Sequence, residues 1–270
     1  MMKMSWTATS AAACALALSL ELVAVAGWFH SHAMAPDVEA QMIESPATQA
    51  PPVVAQPAQP AAPPVFALPT AVPEDRYYAQ LRTKIRWVET RFGGDRLMTP
   101  DVHSRMLLAK SAAERAGLHE VGLSFKDVYG IINAETSWVP RTGASKDGTP
   151  NLGIAQFEPA TARGLGLRNP NDPVESVHVA ALHMKEAAEW SASRIAGLQL
   201  DAGERASKLR EGVSIFYNLS TKGRNRWNGH NTAKLPIETR LHIRNARTGA
   251  QHAGELEAKL VSAGFVLTGG

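Results

Sequence analysis

A chain of 270 residues, 44% hydrophobic and 20% charged, has the make-up of one sizeable folded domain with room for extra segments. A net charge of +3 suits an acidic polymer as partner but falls short of demanding nucleic acid. Cys14 is the only cysteine, which excludes an intrachain disulfide and a thiolate metal site.

Residues 1–26 read as an export signal. Lys3 gives a positive start, "SAAACALALSLELVAVAG" an apolar run, and Ala24 and Ala26 a small-x-small cleavage pattern. Glu21 interrupts the run, and a carboxylate at the centre of a bilayer costs about 2.5–3.5 kcal/mol on insertion scales. A cleaved signal is therefore favoured over a retained membrane anchor, and the expected location is periplasmic or exported. Ten of the 17 prolines fall between Pro36 and Pro73. This Pro/Ala-rich linker, residues 27–73, favours extended polyproline-II conformers and cannot bury a core.

Residues 74–270 are expected to form a mainly α domain. In "YYAQLRTKIRWVETRF", Tyr78, Leu81, Ile85 and Val88 share one face of a predicted helix. The next helix is expected to have Thr99 as its cap, Pro100 as its first position and Gly117 as its stop. "LSFKDVYGIINAETSW" has Ser124 and Asp127 at capping-box spacing, so a helix should start near Phe125 with Val128, Ile131 and Ile132 on one face. A helix opening at Asp172 and Pro173 carries Val177, Ala181, Met184 and Ala188 on its apolar face. "RASKLREGVSIFYNL" and "TRLHIRNA" look helical, and "GELEAKLVSAGF" closes the domain.

Glu135 lies seven residues after Val128, and three and four after Ile132 and Ile131. Its carboxylate therefore falls on the apolar face at the helix C-terminus, where desolvation and the negative helix end disfavour charge. A carboxylic acid held protonated is what general acid catalysis needs. From the helix alone, the plainer reading is a glutamate reaching water or paired with Arg141 or Arg163.

Four blocks change that balance. "ETSW", "GIAQFEPATARGLGL", "FYN" and "LPIETRLHI" together resemble, in order, the motifs of soluble-type lytic transglycosylases, relatives of goose-type lysozyme that cleave peptidoglycan. The resemblance covers roughly residues 123–246. It implies a lysozyme-like helical fold with a groove for an aminosugar strand and no cofactor. Glu135 would be the single acid/base, while Thr136, Ser137, Gly153, Gln156, Tyr217, Asn218 and His242 would belong to the substrate groove. Gly153 would let backbone approach a ligand closely, and Gln156 would offer it a donor and an acceptor. The ring of Tyr217 faces the core, so its hydroxyl must find a partner, in the site or at a backbone carbonyl.

The chain departs from the family pattern at Thr136 for Ser, at Ala155 for Met, in the longer loop "SKDGTPN", and at His242 where a Tyr is common. Two other readings stand beside the transglycosylase. A hydrolytic muramidase would need a second carboxylate, for which Asp147 and then Glu158 are the candidates. A catalytically weak wall-binding domain would be carried by its linker to an envelope or secretion-system assembly. The nine histidines contain no His-Glu-x-x-His, and His178 and His183 read as helix-face residues, so no metal site is expected. The basic cluster "TKGRNRW", with Arg240 and Arg244, reads first as a solvated face and second as a contact for wall-peptide carboxylates.

Overall fold

The computed structural model describes residues 76–145 and 147–263; the expected signal and linker lie outside them. The described residues are mainly α, with eight α-helices and two short hairpins among them. No helix of the described residues is long and apolar enough to cross a membrane.

Helix α1 (Arg76–Lys84) buries Tyr78 and Leu81 but stops four residues short of Val88. The expected continuation is instead strand β1 (Trp87–Phe92), paired antiparallel with β2 (Asp95–Pro100) across Gly93 and Gly94. The reason is legible afterwards: "WVETRF" is rich in β-branched and aromatic residues, and the Gly-Gly turn closes a hairpin. Thr99 and Pro100 consequently end β2 and do not start the next helix. Asp101 caps α2 (Val102–Arg115), its side chain accepting from the Ser104 amide at 2.8 Å. Thr99 donates its hydroxyl to the Trp138 carbonyl at 2.6 Å, pinning the hairpin to a segment 39 residues further along the chain. Gly117 follows α2 with φ +63°, a left-handed stop.

Helix α3 (Phe125–Thr136) starts with the full capping box: Ser124 accepts from the Lys126 amide, and Asp127 accepts from the Ser124 amide at 2.8 Å. Its apolar face buries Val128, Ile131 and Ile132. The short hairpin β3 (Gly143–Ala144) and β4 (Pro150–Asn151) and helix α4 (Pro159–Gly164) follow it. Helix α5 (Pro173–Ile195) is capped by Asp172 and buries Val177, Ala181, Met184 and Ala188 completely. Helix α6 (Ala202–Asn218) opens with a second capping box, Asp201 with Glu204. Helix α7 (Thr221–Arg224) is a single turn. The two segments expected as separate helices at the C-terminal end form one, α8 (Ile237–Ser262).

Two glycines explain why α8 runs unbroken. A Cβ on Gly130 of α3 would overlap the Ala246 carbonyl oxygen of α8, and one on Gly249 would come within 2.7 Å of the Asn133 Cβ. Glycine at both places lets the two backbones touch, and this packing outweighs the roughly 0.5–1 kcal/mol that a helix-interior glycine costs relative to alanine. A second close approach joins α5 to α6, where a Cβ on Gly212 would run into the Ser191 hydroxyl. Trp227, fully buried among Ile195, Ile215, Leu235 and Ile243, fills a small core below it. Its indole donates to the Thr232 hydroxyl at 3.0 Å, so it belongs to the interior and not to the basic face of its segment.

Gly130→Ala is expected to destabilise the domain by about 1–3 kcal/mol, because α3 and α8 must part to admit the methyl group. Gly254→Ala, in the same α8, meets only the flexible Lys126 side chain at 3.7 Å or more and should leave stability unchanged or raised. Thermal unfolding of the two variants checks the contrast.

Candidate functional site

Because α3 and α8 touch at Gly130, the last turn of α3 meets the first turns of α8. Glu135 and His242 come together there: Glu135 Oε1 lies 2.7 Å from His242 Nε2. The glutamate side chain is 15% exposed and the histidine 6%. His242 Nδ1 is buried and has no hydrogen-bond partner among the described residues. The tautomer that carries its proton on Nε2 donates to the carboxylate and leaves a bare lone pair, not an N–H, at the buried Nδ1.

Tyr217, on the last turn of α6, stacks nearly parallel to the His242 ring, at 15° and 6.5 Å between centroids. Its hydroxyl donates to the Ala155 carbonyl at 3.3 Å. The residue keeps some surface on the groove, yet dense protein around the phenol pushes its pKa well above the ordinary value, and the Glu135 charge adds to the shift. Tyr217 is thus a member of the core and of the groove wall together.

The chain leaves α3 through two consecutive left-handed residues, Ser137 (φ 54°) and Trp138 (φ 68°). Trp138 is fully buried against Tyr129, with ring centroids 4.9 Å apart, and this packing holds the unfavourable backbone. Arg141 closes the helix end. Its guanidinium donates to the carbonyls of Thr136 (2.6 Å), Val139 (3.1 Å) and Glu135 (3.2 Å) and lies 4.3 Å from the centre of the Phe92 ring. Burial lowers the Arg141 pKa, while the Glu135 charge opposes the shift. Arg141 therefore serves Glu135 through the helix end and not through a side-chain ion pair, and Arg163 is exposed.

The residues of the Gly153 block divide between wall and groove. Thr136 is buried and donates to the Ile154 carbonyl at 2.8 Å, which locks the loop onto α3. Gly153 has φ +70°, and a Cβ there would overlap the Pro170 carbonyl oxygen. The close approach that requires glycine is thus made by the protein's own backbone, and not by a ligand as the sequence suggested. Gln156, also left-handed at φ 51°, donates its side-chain amide to the Arg141 and Gly153 carbonyls, both at 2.8 Å. Its amide protons tie the loop together, and the donor expected for a ligand is already engaged.

Glu135, Gln156, Tyr217 and Asn218 line one groove of about 910 Å³, whereas Thr136, Ser137, Gly153 and His242 stand behind or beside its wall. Asn218 Oδ1 accepts from the Thr239 hydroxyl at 2.8 Å. Asp147 and Glu158 also line the groove. Asp147 is an exposed turn residue whose Oδ1 accepts from the Thr149 amide at 3.0 Å, and this bond lowers its pKa. Glu158 accepts from the Ser145 hydroxyl at 2.6 Å.

Several lining residues were not singled out for the groove by sequence, His183 and Arg224 among them. His183 packs among Phe157, Phe216 and Tyr217 and bonds Glu186 at 3.2 Å. Arg224 of α7 lies 3.6 Å above the Phe216 ring. Both come from helices remote in sequence from Glu135, and no local pattern ties them to it. Among the described residues no group of three His, Cys, Asp or Glu side chains could hold a metal ion.

No family model, curated protein or solved structure matches this chain.

Arg141→Lys is expected to destabilise the domain by about 1–3 kcal/mol, since an ammonium cannot reach three carbonyls as a fork does. A chemical-denaturation midpoint equal to that of the wild type would contradict the capping role.

Proposed function

We propose that this chain is a peptidoglycan lytic transglycosylase with a lysozyme-like helical domain. It would cleave the MurNAc–GlcNAc β-1,4 bond and leave 1,6-anhydro-MurNAc ends. The observation that carries the reading is Glu135 itself: a largely buried carboxylate, held through one oxygen by His242, lining a groove of about 910 Å³. The groove combines aromatic wall (Phe157, Phe216, Tyr217, His183) with polar groups (Ser145, Gln156, Asn218, Thr239). That mixture suits sugar rings, which have apolar faces and hydroxyl edges.

In this mechanism protonated Glu135 gives its proton to the glycosidic oxygen as the bond to the MurNAc anomeric carbon breaks. The substrate's N-acetyl carbonyl stabilises the positive charge that develops. The carboxylate then takes the proton of the C6 hydroxyl as that oxygen closes on the anomeric carbon, so no water is consumed. One residue returns to its starting state after both steps. His242 keeps the carboxylate oriented throughout, and the second oxygen is left to the substrate. The expected signal and linker place this activity outside the cytoplasm, with envelope or secretion-system proteins as partners reached through residues 27–73.

Asp147 favours a second reading, a hydrolytic muramidase, because it lines the same groove and its turn keeps it ionised. Substitution separates the two. Glu135→Gln is expected to cut glycan cleavage about 10²–10⁴-fold with the unfolding midpoint nearly unchanged, since Gln preserves size but neither gives nor takes a catalytic proton. Equal turnover by that variant would remove Glu135 from the chemistry. Asp147→Asn should retain most activity, and a loss of about 10²-fold or more at unchanged stability would favour the hydrolase.

A further inference from the structure

The Glu135 groove carries a charge pattern that proton transfer by one carboxylate does not require. Its lining holds four carboxylates, Glu135, Asp147, Glu158 and Glu238, against a single lysine or arginine among the described residues, Arg224. Lys222, Arg226, Arg240 and Arg244, the other cations of the basic cluster, are exposed and line no part of the groove. Arg224 is half-buried, with its guanidinium 3.6 Å from the centre of the Phe216 ring. Nη1 donates a long bond to the Phe216 carbonyl at 3.5 Å. Nε and Nη2 have no hydrogen-bond partner, and the guanidinium no ion pair, among the described residues. Burial lowers the Arg224 pKa, and the charge of Glu186 opposes that shift. Glu186 itself is bonded to His183 at 3.2 Å and does not line the groove.

The open edge of the guanidinium, Nε with Nη2, presents two parallel N–H groups at the spacing of a carboxylate's oxygens. Stacking on Phe216 holds its plane in advance, so little freedom is lost when an anion binds. The wall between Glu135 and this edge is aromatic. His183 touches Tyr217 and Phe216 in turn, with ring centroids 5.4 and 5.2 Å apart. A strand that follows these rings away from Glu135 reaches Arg224. In an alternating strand only MurNAc brings a carboxylate there, on its lactyl arm; GlcNAc has a hydroxyl at that carbon.

We propose that Arg224 is the subsite for a carboxylate on the lactyl arm of MurNAc, and that it sets the register of the strand over Glu135. The carboxylate is the arm's own in a peptide-free strand, or the first of a stem peptide attached to the arm. Elsewhere in the groove such a group meets other carboxylates and is repelled, so the arm has one favourable place. With MurNAc fixed there, only one of the polymer's two β-1,4 linkages falls beside Glu135. The inference rests on the peptidoglycan reading of the groove and adds to it the residue that selects the bond.

The test compares wild type with Arg224→Gln on three substrates: peptide-bearing strands, peptide-free strands, and peptide-free strands whose lactyl carboxylates are converted to methylamides. On an acidic strand the variant should lose about tenfold or more in kcat/KM, mainly through KM, the scale of one charge-assisted hydrogen bond. On the neutral strand variant and wild type should be equal. A loss on the peptide-free strand identifies the lactyl carboxylate, and one confined to the peptide-bearing strand identifies the stem. The variant should also release some fragments ending in GlcNAc, where wild type releases only MurNAc ends. If Arg224→Gln unfolds, Arg224→Lys, which keeps the charge but not the fork, should show a smaller loss on the same acidic strand. Equal losses on all three strands, or none on either acidic strand, would overturn the subsite while leaving the cleavage reading intact. Cleavage of no strand by folded wild type would overturn both.

Discussion

The backbones of α3 and α8 touch where Gly130 meets Ala246 and Gly249 meets Asn133. Both residues lack the atom that would hold the helices apart, so dispersion contacts run along the whole seam. Everything at the candidate site is a few residues from that contact. Glu135 lies one turn and a residue beyond Gly130, and His242 one turn before Ala246. A separation of a few tenths of an ångström at the glycines would lengthen the 2.7 Å bond between the two side chains by a similar amount.

A close crossing alone would leave Glu135 on a frayed helix end. Two further constraints prevent this. Trp138 and Tyr129 clamp a pair of left-handed residues that would otherwise cost about 1–3 kcal/mol each. The Arg141 guanidinium then occupies the carbonyls that a helix end leaves unpaired, and it brings positive charge to the negative end of α3. Phe92 of the first hairpin packs against that guanidinium, and Thr99 of the same hairpin holds the Trp138 carbonyl. Residues 87–100, which precede every recognisable motif, therefore support the end of α3 that bears the carboxylate.

Local signals in the sequence were enough for α3 and α5, because capping boxes, Asp-Pro starts and apolar spacings of three and four act over one or two turns. They also brought Glu135, His242, Tyr217 and Asn218 forward by their place in motifs. They failed where a distant contact decided the matter. Val88 fits a helical face, but its neighbours pair with β2. The stretch around Gly249 falls between two expected helical segments, yet Gly249 is a point where the single helix α8 meets α3. Gly153 looks like a place where a ligand comes close, although the Pro170 carbonyl fills that approach, and Gln156 lines the groove with both of its amide protons already given to the Arg141 and Gly153 carbonyls. His183 and Arg224 reach the groove only through the packing of α5, α6 and α7, which no window of sequence contains.

Mass spectrometry of the fragments released from purified peptidoglycan by the full-length protein tests the central claim most directly. A single acid/base carboxylate that first gives and then takes a proton should release muropeptides ending in 1,6-anhydro-MurNAc, each lighter by one water than its hydrolytic counterpart. Fragments with ordinary reducing ends would contradict the water-free mechanism and point to a second carboxylate in the groove. Intact sacculi after prolonged incubation with folded protein would contradict the assignment of glycan cleavage altogether.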